Sequence, residues 1–151
     1  MRGKERATAH TKAVELLARR EHSQGELRAK LRGRGYTSGD VEEAVTELAD
    51  QGLQSDDRFL ESFVAARAAR GHGPLKIAAE LRARGVVGER VQEVLEPHAE
   101  RWNELARTVR EKRFGVDAPQ DPKGRISAMR FLAQRGFDGD QIRAAFSASA
   151  E

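Results

Sequence analysis

Apolar residues recur along this chain at the three- and four-residue spacing of one face of an α-helix, and one such pattern is written three times. Each copy reads leucine, two variable residues, arginine, glycine and an apolar residue, and the copies begin at Leu31, Leu81 and Leu132. The glycines follow one another at intervals of 50 and 51 residues. Apolar side chains also coincide six and ten residues beyond each glycine: Val41 and Val45, Val91 and Leu95, Ile142 and Phe146. Self-similarity at this period predicts tandem supersecondary units that bury their apolar faces together.

Capping residues divide each copy into short helices. Ser23 is followed three residues later by Glu26, which is the spacing of a capping box, so a helix is predicted to begin near Gln24. The repeated glycine suits the left-handed position that ends such a helix, and Thr37 or Ser38 then begins the next one. No stretch alternates apolar and polar residues over the length of a strand. We therefore expect an all-α chain of about nine helices.

The expected architecture is three tandem three-helix repeats, at residues 1–54, 55–97 and 98–151, which form an elongated, curved helical array. Helical spacing predicts the residues of the core: Leu27, Leu31, Val41 and Val45 in the first repeat, Ile77, Leu81, Val91 and Leu95 in the second, and Leu132, Ile142 and Phe146 in the third. Other apolar residues are expected on the buried sides of their helices: Ala44, Leu48, Phe59, Phe63, Val64, Ala66, Trp102, Leu105, Val109, Ile126 and Met129.

Composition narrows the class of protein. Charged residues make up 34% of the chain and aromatic residues 5%, so the core must be thin and aliphatic. There is no cysteine, which excludes disulfides and thiolate chemistry. No apolar run approaches the roughly 18 residues of a membrane span. We expect a cytoplasmic monomer that does not bind a membrane.

Residues that could support catalysis or bind a metal are scattered. The chain has no glycine-rich phosphate loop and no serine in a nucleophile elbow. Asp56 and Asp57 fit the first turn of a helix better than a metal site. The four histidines are far apart and are expected on the surface: His10, His22, His72 and His98. We expect no enzyme activity, no cofactor and no bound metal.

The repeated arginine provides the most specific hypothesis about function. Arg34, Arg84 and Arg135 each fall in the last turn of a predicted helix, where a cation stabilises free carbonyl groups by about 0.3–1 kcal/mol. Stacked repeats would also place equivalent residues in a row, which favours a basic stripe that binds a partner. Helix capping alone and capping with partner binding both stay open. The candidate partner-binding residues are Arg28, Arg32, Arg34, Arg82, Arg84, Arg130 and Arg135.

Several short segments, taken together in order and spacing, resemble a known family. They are Leu16-Leu17-Ala18-Arg19-Arg20-Glu21-His22-Ser23 with Glu26-Leu27, Gly52-Leu53 with Asp56-Asp57-Arg58-Phe59, Gly73-Pro74, Arg113-Phe114-Gly115, and Arg130-Phe131-Leu132 with Arg135-Gly136-Phe137. Over nearly its whole length the chain resembles the RecX family, the bacterial regulators of the RecA recombinase.

The resemblance implies a curved, all-helical protein of three three-helix modules, in agreement with the repeat. It also implies binding in the helical groove of RecA filaments on single-stranded DNA. There such proteins limit filament growth and lower strand exchange, ATP turnover and the co-protease activity that triggers the SOS response. The expected partner is the RecA filament, with single-stranded or double-stranded DNA as a further candidate. The family supplies no catalytic residues and no short binding motif.

The alternative is a helix-turn-helix DNA-binding transcriptional regulator, since three-helix units with a glycine in the turn resemble that motif. Its recognition helices would lie at residues 40–50, 89–96 and 140–148, which contain few side chains able to read base edges. Glu42, Glu43 and Glu47 would repel phosphates. Three tandem units without a dimerisation segment favour the filament regulator.

Overall fold

The computed structural model describes residues 7–147, and all regular secondary structure in that range is helical. Residues 7–147 form nine α-helices and a single 3-10 turn at Glu96–His98, and they contain no strand. The α-helices are α1 (Ala9–Arg19), α2 (Gln24–Gly33), α3 (Ser38–Asp50), α4 (Asp56–Ala69), α5 (Pro74–Ala83), α6 (Gly88–Leu95), α7 (Ala99–Phe114), α8 (Pro122–Gln134) and α9 (Gly139–Phe146). The predicted all-α class is confirmed. None of the described helices is both long and apolar enough to cross a membrane.

The predicted capping box at the start of α2 is present. Ser23 Oγ accepts the backbone N–H of Glu26 at 3.0 Å, and the Glu26 carboxylate accepts the backbone N–H of Ser23 at 3.2 Å. Asp138 and Gln141 form the same arrangement before α9. Thr37, one of the two predicted residues, caps α3. Side chains close in sequence therefore satisfy the free N–H groups of these helices.

The three repeated glycines have the predicted left-handed conformation. Gly35, Gly85 and Gly136 have φ angles of 88°, 91° and 96°, and each follows the last residues of a helix. A side chain in this conformation costs about 1–2 kcal/mol, so the turn selects glycine. At Gly136 a methyl group would also overlap Cβ of Lys76. This turn therefore requires glycine for two reasons.

The chain divides into two compact units, with the boundary inside α4 between Ser62 and Phe63. In the first unit, α1, α2 and α3 enclose an aliphatic core. Its members are Ala13, Leu16, Leu27, Leu31, Val41, Val45 and Leu48. All four residues predicted for this core are fully buried.

The second unit has a core between α7, α8 and α9, formed by Ala106, Leu132, Phe137, Ile142 and Ala145. Ile77, Leu81 and Val91 are fully buried as predicted. Phe146 is half-buried and packs against this core, as predicted, whereas Leu95 is only half-buried, which corrects its assignment to the core. Each is the last residue of an eight-residue helix, where fewer neighbouring groups cover the side chain.

Three further apolar residues were predicted on buried faces and are exposed. Ile126 and Met129 expose 51% and 39% of their surface. The inward residue of α8 is instead Ala128, and Ile126, two positions earlier, lies on nearly the opposite side of the helix. Ala66 of α4 is also exposed, because it lies beside the stripe that buries Phe59 and Phe63.

His22 is buried, with 1% of its surface exposed, which corrects its predicted place on the surface. Lys30 Nζ lies 2.8 Å from its Nε2, and because an ammonium can only donate, Nε2 accepts. Nδ1 then donates to the carbonyl oxygen of Arg20 at 3.0 Å. Burial lowers the pKa of His22, so the ring is neutral in this setting. The remaining three histidines are half-buried.

Asp56 lies in the first turn of α4, as predicted, and its carboxylate also makes contacts that were not predicted. Its carboxylate accepts the backbone N–H of Gln24 at 2.9 Å and Nε2 of Gln54 at 2.8 Å. Gln54 also donates to the carbonyl oxygen of His22. One carboxylate therefore joins the start of α2 to the start of α4.

Candidate functional site

Two of the predicted arginines in the first unit are held by an acidic residue. Arg28 Nε donates to Glu42 at 2.9 Å, and Arg32 lies 3.5 Å from the same carboxylate. Arg34 is exposed, and no ion pair to it occurs within residues 7–62. Exposed ion pairs contribute about 0–1 kcal/mol, so Arg28 and Arg32 could exchange this partner for another at low cost.

In the second unit, Arg84 contacts neighbouring residues of its own chain. Its guanidinium lies 4.9 Å from the ring centroid of Phe63 and 3.8 Å from the Glu80 carboxylate. Arg67 binds the same carboxylate through two hydrogen bonds of 2.8 Å, which lower the pKa of Glu80. Arg82 is exposed on the last turn of α5.

Arg130 and Arg135 belong to a different arrangement, which we call the basic groove. It consists of two adjoining depressions of about 330 and 440 Å³ that share Arg113 and Phe131 in their walls. The groove runs past the end of α4, the last turns of α7, and α8. Six basic residues line it: Arg70, Lys112, Arg113, Lys123, Arg130 and Arg135. Among the described residues no Asp or Glu lines either depression, so the groove is suited to bind an anion.

The basic groove holds two of its arginines in position around an aromatic ring. The guanidinium carbons of Arg113 and Arg135 lie 5.4 and 5.0 Å from the ring centroid of Phe131. Phe114 meets the same ring edge-on at 5.7 Å. Arg135 also donates to the carbonyl oxygen of Arg70 at 3.3 Å. These contacts reduce the side-chain entropy that would be lost when the arginines bind a ligand.

Only two of the six basic residues in the groove, Arg130 and Arg135, belong to the set predicted from the sequence. Lys112 and Arg113 end α7, Lys123 begins α8, and Arg70 follows α4, so only the fold brings them together. The nearby Arg110 has a different function. It is 4% exposed and donates to the carbonyl oxygens of Ala145 and Gly115 at 2.7 and 3.1 Å. Arg110 therefore stabilises the ends of two helices and is not available to a ligand.

The surface of α3 disfavours the DNA-reading alternative. Glu42, Glu43 and Glu47 are all exposed on this helix. A recognition helix in this position would bring three carboxylates towards the phosphates of a duplex.

Among the described residues no group of three or more possible metal ligands occurs.

Three family models match the chain in tandem. They describe the first, second and third three-helix domains of RecX, and they match residues 9–48, 55–95 and 99–146 respectively. The matches confirm the predicted repetition of a three-helix unit.

Relatives with known names are similar over most of their length. The regulatory protein RecX of Chromohalobacter salexigens is 48% identical over 93% of this chain and 92% of its own. The regulatory protein RecX of Halorhodospira halophila is 47% identical over 92% of this chain and 86% of its own. These names describe regulatory proteins and not enzymes. A crystal structure of RecX from Lactobacillus salivarius has the same fold, with a TM-score of 0.76, 22% identity and 91% of each chain covered.

Proposed function

This chain belongs to the RecX family of regulatory proteins, and we propose that it binds the RecA filament on single-stranded DNA and limits the extension of that filament. Limited extension lowers the ATPase, strand-exchange and co-protease activities of RecA, and thereby recombination and the SOS response. The protein acts by binding and needs no catalytic residue or cofactor for this role.

The basic groove is the observation that supports contact with the filament. A RecA filament on DNA presents phosphates inside and acidic side chains along its helical groove. Arginine binds either group with two parallel hydrogen bonds. Six cations and, among the described residues, no carboxylate line the groove, so the electrostatic potential there is positive. We place Arg130 and Arg135 of the predicted set in the contact, together with Arg113.

The remaining predicted arginines extend the proposed contact with different energetic costs. Arg34 and Arg82 are exposed at the ends of α2 and α5, so they can bind a partner without losing an ion pair of the described chain. Arg28 and Arg32 must first leave Glu42. Arg84 would leave its position beside Glu80. We therefore expect the larger effects at the basic groove.

Co-sedimentation tests the proposal. RecA is assembled on single-stranded DNA with a slowly hydrolysed ATP analogue and pelleted with this protein. The parent chain should pellet with the filament but neither with RecA alone nor with DNA alone. Binding should weaken steeply as salt rises, because it depends on screened charges.

A double reversal, Arg113→Glu with Arg130→Glu, should weaken co-sedimentation about a hundredfold, since each of the two lost charged contacts contributes about 1.5 kcal/mol, the lower end of the range for charged hydrogen bonds. Arg19→Glu on the exposed end of α1 is the matched control and should bind like the parent. Equal binding by the double variant would remove the basic groove from the contact. Tight, sequence-specific binding to duplex DNA without RecA would instead support the transcriptional regulator.

A further inference from the structure

A third depression opens into the basic groove, and the proposed function does not use it. It lies between the last turns of α4 and the first turns of α7, and its volume is about 510 Å³. We call it the apolar groove. Its apolar lining is Val64, Ala65, Ala68, Ala69, Trp102 and Leu105.

The two grooves form one continuous depression. Ala68, Ala69, Leu105 and Thr108 line both the apolar groove and the adjoining part of the basic groove. Trp102 lies within the apolar part and is 4% exposed, so its ring packs inward. An extended or helical segment that lies along α7 would therefore meet methyl groups first and guanidinium groups next.

Charge changes along this depression. Arg101 and Glu104 balance each other at the apolar end. At the other end Arg70, Lys112 and Arg113 line the wall together with Arg135, without a carboxylate among the described residues. Negative charge on a ligand is therefore favoured at one end only, and this determines the direction in which a segment binds.

We propose that this continuous depression binds a segment of a protein partner that carries aliphatic residues followed by acidic residues. The aliphatic side chains pack between α4 and α7, against Ala65 and Leu105. A carboxylate binds between Arg113 and Arg135, whose positions beside Phe131 leave N–H groups for a planar anion in addition to the one that Arg135 donates to Arg70. The inference rests on the proposed function, because the bound segment belongs to the protein of the filament and not to its DNA.

The aromatic residues favour a protein segment over a nucleic acid. Single-stranded nucleic acids bind by stacking their bases on exposed aromatic faces. Trp102 is almost fully buried, and the ring of Phe131 is covered by two guanidinium groups. Methyl groups of alanine and leucine remain at the surface of the groove, and these pack well against aliphatic side chains.

A designed peptide tests the inference with the full chain. The probe is a fluorescein-labelled peptide of about twelve residues, or three helical turns, with leucines in its first half and glutamates in its second. Binding is followed by fluorescence anisotropy. With an unlabelled copy of the peptide it is followed by the emission of Trp102, the only tryptophan of the chain. Saturable binding with a change in that emission is expected.

Matched probes separate the two parts of the depression. A peptide with serine for leucine and another with glutamine for glutamate should each bind about tenfold more weakly, because each loses roughly 1.4 kcal/mol or more of burial or charge pairing. Ala65→Gln, which fills the apolar groove, and Arg113→Gln should each weaken binding of the parent peptide by a similar factor. Ala79→Gln on α5 and Arg19→Gln on α1 are the controls and should bind like the parent chain.

Other outcomes would overturn the inference. Equal binding of the serine peptide would show that charge alone is recognised. An oligothymidylate serves as a competitor for the groove. If it displaces the peptide, and if Arg113→Gln weakens binding of the oligothymidylate by the same factor, the groove binds nucleic acid. If Ala65→Gln still pellets with RecA filaments as the parent does, the inference fails while the proposed function stands. If the parent chain does not pellet with filaments, the proposed function fails, and the peptide titration still tests the groove by itself.

Discussion

The backbone N–H of Gly73 donates a hydrogen bond of 2.6 Å to the carbonyl oxygen of Arg135. The N–H of Leu75 then donates to the carbonyl oxygen of Gly136 at 2.9 Å. The loop between α4 and α5 is thereby joined, main chain to main chain, to the turn between α8 and α9. A methyl group on Gly73 would lie 2.5 Å from the carbonyl carbon of Gly136. This junction exists because both partners lack a side chain.

The junction predicts unequal effects at the three repeated glycines. Gly35→Ala and Gly85→Ala should each lower the free energy of unfolding by about 1 kcal/mol, because only the left-handed conformation is strained. Gly136→Ala should cost about 3 kcal/mol, because its methyl group would also overlap Lys76. Urea unfolding of the three variants measures the difference. Three equal values would show that the junction does not constrain the turn.

Two arginines one turn apart on α7 should also differ in how much they contribute to the stability of the fold. Arg110→Ala leaves the buried carbonyl group of Ala145 and the carbonyl group of Gly115 without their donor, and it should cost about 2–4 kcal/mol of stability. Arg113→Ala loses only its contact with Phe131, which contributes about 1 kcal/mol or less. Thermal unfolding compares them. A larger effect at Arg113 would reverse the structural and binding roles assigned here.

The core makes a third comparison possible within α8. Leu132 is fully buried, and Leu132→Ala should cost about 2–5 kcal/mol. Ile126 is half exposed on the other side of the helix, so Ile126→Ala should change stability by about 0.5 kcal/mol or less. Urea unfolding of the two variants provides the measurement. A large loss at Ile126 would mean that α8 turns its other face inward.

The stability should depend on pH through two histidines. Burial lowers the pKa of His22 and of His72 below the ordinary value of 6.5, so below that pH the unfolded chain binds protons that the folded chain does not. The free energy of unfolding should therefore have its full value above pH 6.5 and should decrease as the pH falls below 6.5. His22→Gln should make this decline shallower and leave the contribution of His72. Unfolding in urea at several pH values between 5 and 7.5 measures the slope, and an unchanged slope would exclude His22 as a source.

Local signals were sufficient to predict the helices. The capping residues Ser23 and Glu26 act on N–H groups within one turn, and the glycine conformations depend on their own backbone. The repetition added the expectation of equivalent cores, which Leu31 and Leu81 fulfil. Errors arose where the apolar residues of a helix did not define a single buried face. In α8 the close packing of Ala128 decides the orientation, and alanine gives little signal in a hydrophobic pattern.

The candidate site was less predictable, because it depends on contacts between distant parts of the chain. Arg135 meets the carbonyl oxygen of Arg70, which is 65 residues away in sequence. Arg110 and Arg113 look alike as charged residues near the end of α7. Only the docking of α9 buries the first and leaves the second exposed. Sequence spacing therefore pointed to a row of repeated arginines, whereas the fold gathers Arg130 and Arg135 with cations from other helices.

The rate of ATP hydrolysis by RecA on single-stranded DNA, measured against rising concentrations of this protein, tests the central claim most directly. The parent chain should lower the rate in a saturable manner, and Arg19→Glu should act like the parent. The variant with Arg113→Glu and Arg130→Glu should keep its helical circular-dichroism signal and need about a hundredfold more protein for the same inhibition. An unchanged ATPase rate at saturating parent protein would contradict the account.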